Sequence, residues 1–164
     1  DEIFWKESFE IGAQRLLEEY HTHDPIRVED LKALHNHFDN KLGFLFKALE
    51  YHQPKTLVGS SGTFDTLSDI YCASQGIEKL SKTAETPLSF QGFHDTYKEL
   101  IVRDRKERMK IPGMIELRVD MIVVACTLIN YLISHYTFES IRVSSYALKE
   151  GVLADIMKVN HTCN

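Results

Sequence analysis

Residues 121–133 read "MIVVACTLINYLI", an apolar run of 13 residues that meets Ser134 and His135. A membrane span needs about 20 such residues. A shorter helix that is apolar nearly all round must be enclosed by the rest of its own fold. The run, with its lead-in "ELRVD" and its exit "SHY", therefore predicts a long central helix around which everything else packs. At 164 residues one domain is the default. With 43% hydrophobic and 26% charged residues, the chain can supply the enclosing core. Its formal net charge of −5 gives no global basic character of the kind nucleic-acid binding draws on.

Strands alternate with helices on either side of that run. "IFWKESFEI" is rich in aromatic and β-branched residues and reads as a strand, stopped by Gly12. "AQRLLEEY" reads as a short helix. From Val28 onward Leu31, Leu34, Phe38, Leu42, Leu45 and Leu49 form one apolar stripe over about five helical turns, which Pro54 ends. "KTLV" is a short strand and "FDTLSDIYCAS" a helix. Residues 74–92 hold Gly76, Pro87 and Gly92 and read as a connection. "FHDTYKELIV" and "RDRKERMK" follow as helices, "IPGM" breaks the chain, "SIRV" is a strand and "ALKEGVLADIM" a closing helix. "KVNHTCN", residues 158–164, reads as a frayed tail. The order predicts an α/β fold with partly parallel strands. Three strands are few for this much helix, so the expectation is a chain lacking the earlier strands of its sheet.

Between "KTLV" and the next helix stands Gly59-Ser60-Ser61-Gly62-Thr63. A tight turn with an N-cap from Ser61 or Thr63 is the ordinary reading of such a stretch. The other is an anion site. The first helical N–H groups have no partner within the helix, and the helix dipole makes that end positive. Glycines let the backbone bend and let a phosphate approach without a Cβ in the way. No Gly-Lys-Ser/Thr follows, so the loop is not a Walker A motif.

"LVGSSGTFDTL", "IPGMIELRVDMIVVA" and "IRVSSYALKEGVLADI", in that order, resemble the exopolyphosphatase / guanosine pentaphosphate phosphatase (Ppx/GppA) family. "SFEIGAQRL" near the start is similar to that family's entry to a helix, so the likeness runs from about residue 8 to 157. The resemblance implies a ribonuclease H-like lobe of the actin, Hsp70 and sugar-kinase superfamily, with residues 1–157 as most of the second lobe. The active site would lie in the cleft between two lobes. The first lobe, a "DxGGGS"-type phosphate loop and the general-base carboxylate would lie upstream of Asp1, leaving no catalytic residue in this chain. The implied activity is release of terminal phosphate from inorganic polyphosphate or guanosine pentaphosphate, with Mg²⁺ as cofactor and its ligands outside the chain. The implied partners are polyphosphate or guanosine penta- and tetraphosphate and the first lobe, with a homodimer possible in principle, no membrane and no nucleic acid. A bacterial, cytoplasmic protein is implied.

By the same resemblance, Gly59, Ser60, Ser61, Gly62 and Thr63 form a loop facing the cleft. Gly12 and Arg15 match a "G-x-x-R" helix entry. Arg15 either meets a phosphate or pairs with a neighbouring glutamate, and pairing is the favoured reading. Arg118 and Asp120 match a motif opening the central helix, and a structural ion pair is favoured there too. Ser144, Ser145 and Gly151 match the family's closing motif, with Ser145 standing where aspartate is frequent. The run "RDRKERMK" is either a basic track for polyphosphate or a solvated helix face.

The remaining residues add little chemistry. Cys72, Cys126 and Cys163 are odd in number and far apart, which suits reduced thiols. The "HTH" and "HNH" runs lack metal-ligand spacing. A non-catalytic alarmone sensor is the alternative function. A kinase or chaperone of the same superfamily fits the motifs less well.

Overall fold

The structure is a computed structural model and describes residues 2–80 and 83–161. In chain order it forms α1 (Ala13–Tyr20), α2 (Val28–Lys41), α3 (Gly43–His52), β1 (Thr56–Ser60), α4 (Gly62–Gln75) and β2 (Glu85–Thr86). α5 (Phe90–Val102), α6 (Arg105–Arg108), α7 (Met121–His135), β3 (Ser140–Ser144) and α8 (Leu148–His161) follow. α7 is the hub. Ile122 to Thr127, Ile129 and Tyr131 are buried, and α1, α2, α4 and α5 all pack against this one helix. Its apolar circumference thus meets helices on several sides, as the sequence requires. Among the described residues no helix is long and apolar enough to cross a membrane.

The sheet has the order β1-β3-β2. β1 and β3 run parallel, with Thr56 opposite Ser140 and Ser60 opposite Ser144. β2 is antiparallel to β3, Thr86 facing Val143. Ile141 and Val143 point inward, while Val58 and Arg142 lie on the open face, where Arg142 and Glu85 form an ion pair. α4 packs on β1 and β3, so the β1–α4 junction is held from both sides.

Several expectations need correction. Residues 3–11 form no strand; Phe4 is 77% exposed, and only Phe9 and Ile11 lean on the core. β-propensity favours an extended chain, but a strand exists only through a hydrogen-bonded neighbour, and among the described residues none pairs with it. The sheet's third member is instead β2, inside the stretch 74–92 read as a connection. That stretch is tied down where it is described: Ser68 donates to the Pro87 carbonyl at 2.7 Å, and the Ser145 N–H to that of Ala84 at 2.9 Å. Residues 81 and 82 lie outside the described residues.

The five-turn stripe is two helices. Leu42 departs from helical geometry just before Gly43, whose helix propensity is poor, while Leu34, Phe38 and Leu42 stay buried on one face. The lead-in "ELRVD" is a pair of turns, and α7 starts only at Met121. At the other end α8 runs on to His161 through the expected tail, whose residues 162–164, including Cys163, lie outside the described residues. Cys72 and Cys126 are free and buried, and enclosure pushes the Cys126 thiol far above its usual range.

Candidate functional site

β1 ends at Ser60 and α4 begins at Gly62, leaving one residue, Ser61, to turn the chain. Ser61 does so with φ 71° and ψ 178°, a conformation that glycine adopts and serine resists. No side chain caps α4, and its first intrahelical acceptor, the Ser61 carbonyl, takes the Asp65 N–H at 3.1 Å. The leading N–H groups are therefore left to solvent or to a ligand. Thr66 steadies the turn from below, donating its hydroxyl to the Gly62 carbonyl at 2.9 Å. Asp65 places one carboxylate in the first turn. The N-cap expected from Ser61 or Thr63 does not form.

The two loop glycines make room for side chains of the fold itself. A Cβ on Gly59 would run into the Phe64 ring, and one on Gly62 into the Arg118 guanidinium. Gly12 is the open one, with nothing near its Cβ position. It precedes α1, which also lacks a side-chain cap and any acidic residue in its first turn. Ala13 and Leu16 of α1 line one hollow with Ser60, Thr63 and Phe64, about 190 Å³ in volume, floored by Ala125, Leu128 and Ile129 of α7. Ala13 and Thr63, from the first turns of two uncapped helices, thus border one mostly apolar depression, beside which both helices place their positive ends.

The arginines confirm neither favoured pairing. Among the described residues Arg118 and Arg15 make no ion pair. Glu18, the acid one turn from Arg15, accepts instead from Gln14 at 2.8 Å. Asp120 turns away from Arg118 to Arg105, at 3.2 Å, and Arg108, at 3.7 Å. Arg118 contacts Met121 Sδ at 3.3 Å and lies against Gly62, bringing an unpaired guanidinium to the start of α4. Arg15 sits exposed in the first turn of α1.

On the other flank, Ser61 shares a larger apolar groove with Ala147, Leu148, Lys149, Val152 and Leu153 at the start of α8. This third N-terminus is already occupied, since Glu150 accepts from the Ala147 N–H at 2.8 Å. That hydrogen bond holds the Glu150 carboxyl below its usual range. Ser144 is spent locally, accepting from the Tyr146 N–H at 3.1 Å and donating to its carbonyl at 3.0 Å. Ser145 keeps an exposed side chain, and Gly151 lies on the exposed surface of α8.

"RDRKERMK" is a solvated face only in part, with Lys106, Glu107, Met109 and Lys110 exposed, and it forms no continuous basic track. Arg103 pairs with Glu99, Arg105 with Glu116 and Asp120, and Arg108 is 0% exposed; among the described residues Lys106 and Lys110 alone of the run's cations have no ion-pair partner. Phe64, Ala13 and Arg108 were not singled out from the sequence. Phe64 had a weak signal, a large ring five residues after a strand glycine. Arg108 had none, because burial of one arginine among five basic residues is decided by tertiary partners.

The Ppx/GppA phosphatase family pattern matches residues 2–160. Among solved structures, an exopolyphosphatase from Cytophaga hutchinsonii is 44% identical with a TM-score of 0.89, over 96% of this chain and 51% of that one. A Ppx/GppA family member from Aquifex aeolicus has the same fold at 23% identity and a TM-score of 0.69, over 92% of this chain and 48% of that one. An uncharacterized protein of Streptomyces coelicolor is 24% identical over 148 residues, 89% of this chain and 44% of its own length. The chain spans about half the length of each of these relatives, and the fold is that of a single lobe of such proteins.

Proposed function

The chain belongs to the Ppx/GppA phosphatase family, and from that premise we propose that it forms one wall of the phosphate site of a phosphohydrolase. The substrate class is a phosphate chain: inorganic polyphosphate, or the 5′ terminal phosphate of guanosine pentaphosphate. The observation that carries this reading is a pair of uncapped helix N-termini whose first turns border one hollow, with the Arg118 guanidinium lying against Gly62. Backbone N–H groups and a guanidinium are the donors that phosphoryl oxygens use.

Phosphoryl transfer depends mainly on positioning and on neutralising the charge of the equatorial oxygens. In the proposed in-line attack by water, the N–H groups of the Ser61–Thr63 turn and of the α1 start hold phosphate oxygens. Arg118 and Arg15 add positive charge. The base that activates the water is a carboxylate from outside this chain. Mg²⁺ belongs to the proposal as well. Among the described residues no three His, Cys, Asp or Glu side chains are gathered as ligands, so the ion's ligands are proposed to come from outside this chain. The 164-residue chain by itself is proposed to bind phosphate chains without turning them over; sustained phosphate release from it would overturn that part.

The test is a titration with inorganic tripolyphosphate followed by backbone amide shifts. Saturable shifts are expected at Gly12 to Arg15 and Gly59 to Thr63, and Arg118→Gln should weaken binding about fivefold. Shifts confined to other parts of the chain would remove the physical basis of the assignment.

A further inference from the structure

Arg108 is the largest fully buried side chain among the described residues, and its donors are spent on two backbone carbonyls and one carboxylate. Its Nε donates to the Val119 carbonyl at 2.9 Å. Its Nη1 donates to the Arg103 carbonyl and to Asp24 Oδ1, each at 2.6 Å. Nη2 stands 3.7 Å from Asp120 Oδ1 and has no hydrogen-bond partner. Asp24 Oδ2 in turn accepts from the Arg105 N–H at 2.7 Å. The guanidinium therefore fastens residues 119 and 120, the two that follow Arg118.

The other end of the same segment is fixed just as firmly. Gly113 has φ 92°, and a Cβ there would lie 2.6 Å from the Asp69 carbonyl carbon and the Ile70 nitrogen of α4. No other residue lets the backbones approach so closely. Between these anchors the Arg118 N–H donates to the Ile115 carbonyl at 3.0 Å, and the side chain reaches back to Gly62 at the start of the same helix. Residues 113–120 thus clasp α4 at two places, and Arg108 is the pin of the clasp.

We infer that Arg108 is a positioning residue: it touches no substrate but fixes the turn that delivers Arg118 to the phosphate loop. This rests on Arg118 being a phosphate-facing group. A lysine at 108 keeps the charge but lacks the planar fork that serves Val119, Arg103 and Asp24 together.

The experiment measures tripolyphosphate affinity and thermal stability for Arg108→Lys, Arg118→Gln and the double variant. Arg108→Lys should weaken binding about as much as Arg118→Gln, and the double variant should bind no more weakly than Arg118→Gln alone. Additive losses, or unchanged affinity in a folded Arg108→Lys, would overturn the inference. If Arg118→Gln itself binds normally, the site reading fails instead. Should Arg108→Lys not fold, Asp24→Asn takes its place, since Asp24 is 36% exposed and holds Arg108 from the solvent side. Weaker binding that disappears in the Arg118→Gln background supports the inference; weakening that persists there overturns it.

Discussion

Ser61 carries its positive φ without glycine's freedom, at a cost of about 1–3 kcal/mol for such a conformation. Replacing it by glycine removes the strain but adds about 0.5–1 kcal/mol of unfolded-state freedom. Ser61→Gly should therefore stabilise the protein by about 1 kcal/mol in denaturant unfolding; destabilisation would show that the hydroxyl, not the backbone, is what the site keeps. The sequence made this loop legible because glycine, serine and threonine at a strand-to-helix junction have a direct backbone meaning. It could not show which side chains fill the glycines' empty spaces. Phe64 comes to Gly59 from five residues on and Arg118 to Gly62 from fifty-six, and only the assembled fold brings the second one in. The same holds for Arg118 and Asp120, near neighbours in sequence whose charges face different partners.

Among elements, α7 and α8 stand at opposite extremes. Ile122 is fully enclosed in α7, whereas Leu148, Val152, Leu153, Ile156 and Met157 of α8 are exposed. Ile122→Ala should cost about 3 kcal/mol, from lost burial and the cavity left behind. Leu148→Ala should stay within about 0.5 kcal/mol. Equal losses at the two positions would contradict the packing. Periodicity and end signals exposed α1, α4, α5 and α7 in the sequence, because a helix is largely a local object. Residues 3–11 misled for the complementary reason, since strand character there had no ladder to join. The "ELRVD" lead-in lost its helix to arginines of α6, which draw Glu116 and Asp120 away from helical capping.

Across the whole molecule a polar layer ties the α1–α2 loop to α6 and to the turn before α7. His21 lies in it, and burial, reinforced by Arg108, holds its imidazole below the ordinary 6.5; Asp24, Asp30 and Asp120 oppose this. Burial alone would raise the Asp30 carboxyl. Hydrogen bonds from the Thr22 hydroxyl at 2.6 Å, the Arg27 N–H at 3.0 Å and His23 outweigh it and hold the group below 3.8. Both groups are depressed in the fold, so both bind protons more readily when unfolded. Stability is then full above about pH 6.5, begins to fall below it as His21 is driven to charge, and falls again below about pH 4 as Asp30 is protonated. Thermal melts across this range should show both steps, and His21→Asn should lack the first. A melting temperature that rises on acidification from neutral pH would contradict the assignment.

The Arg118 guanidinium rests in the volume that a methyl group at position 62 would claim. A side chain at 62 therefore requires the guanidinium to swing aside, whereas residue 118 can change while Gly62 stays. In a lineage where residue 62 gains a side chain, the arginine should be lost or rerouted, while loss of the arginine requires no answer at 62.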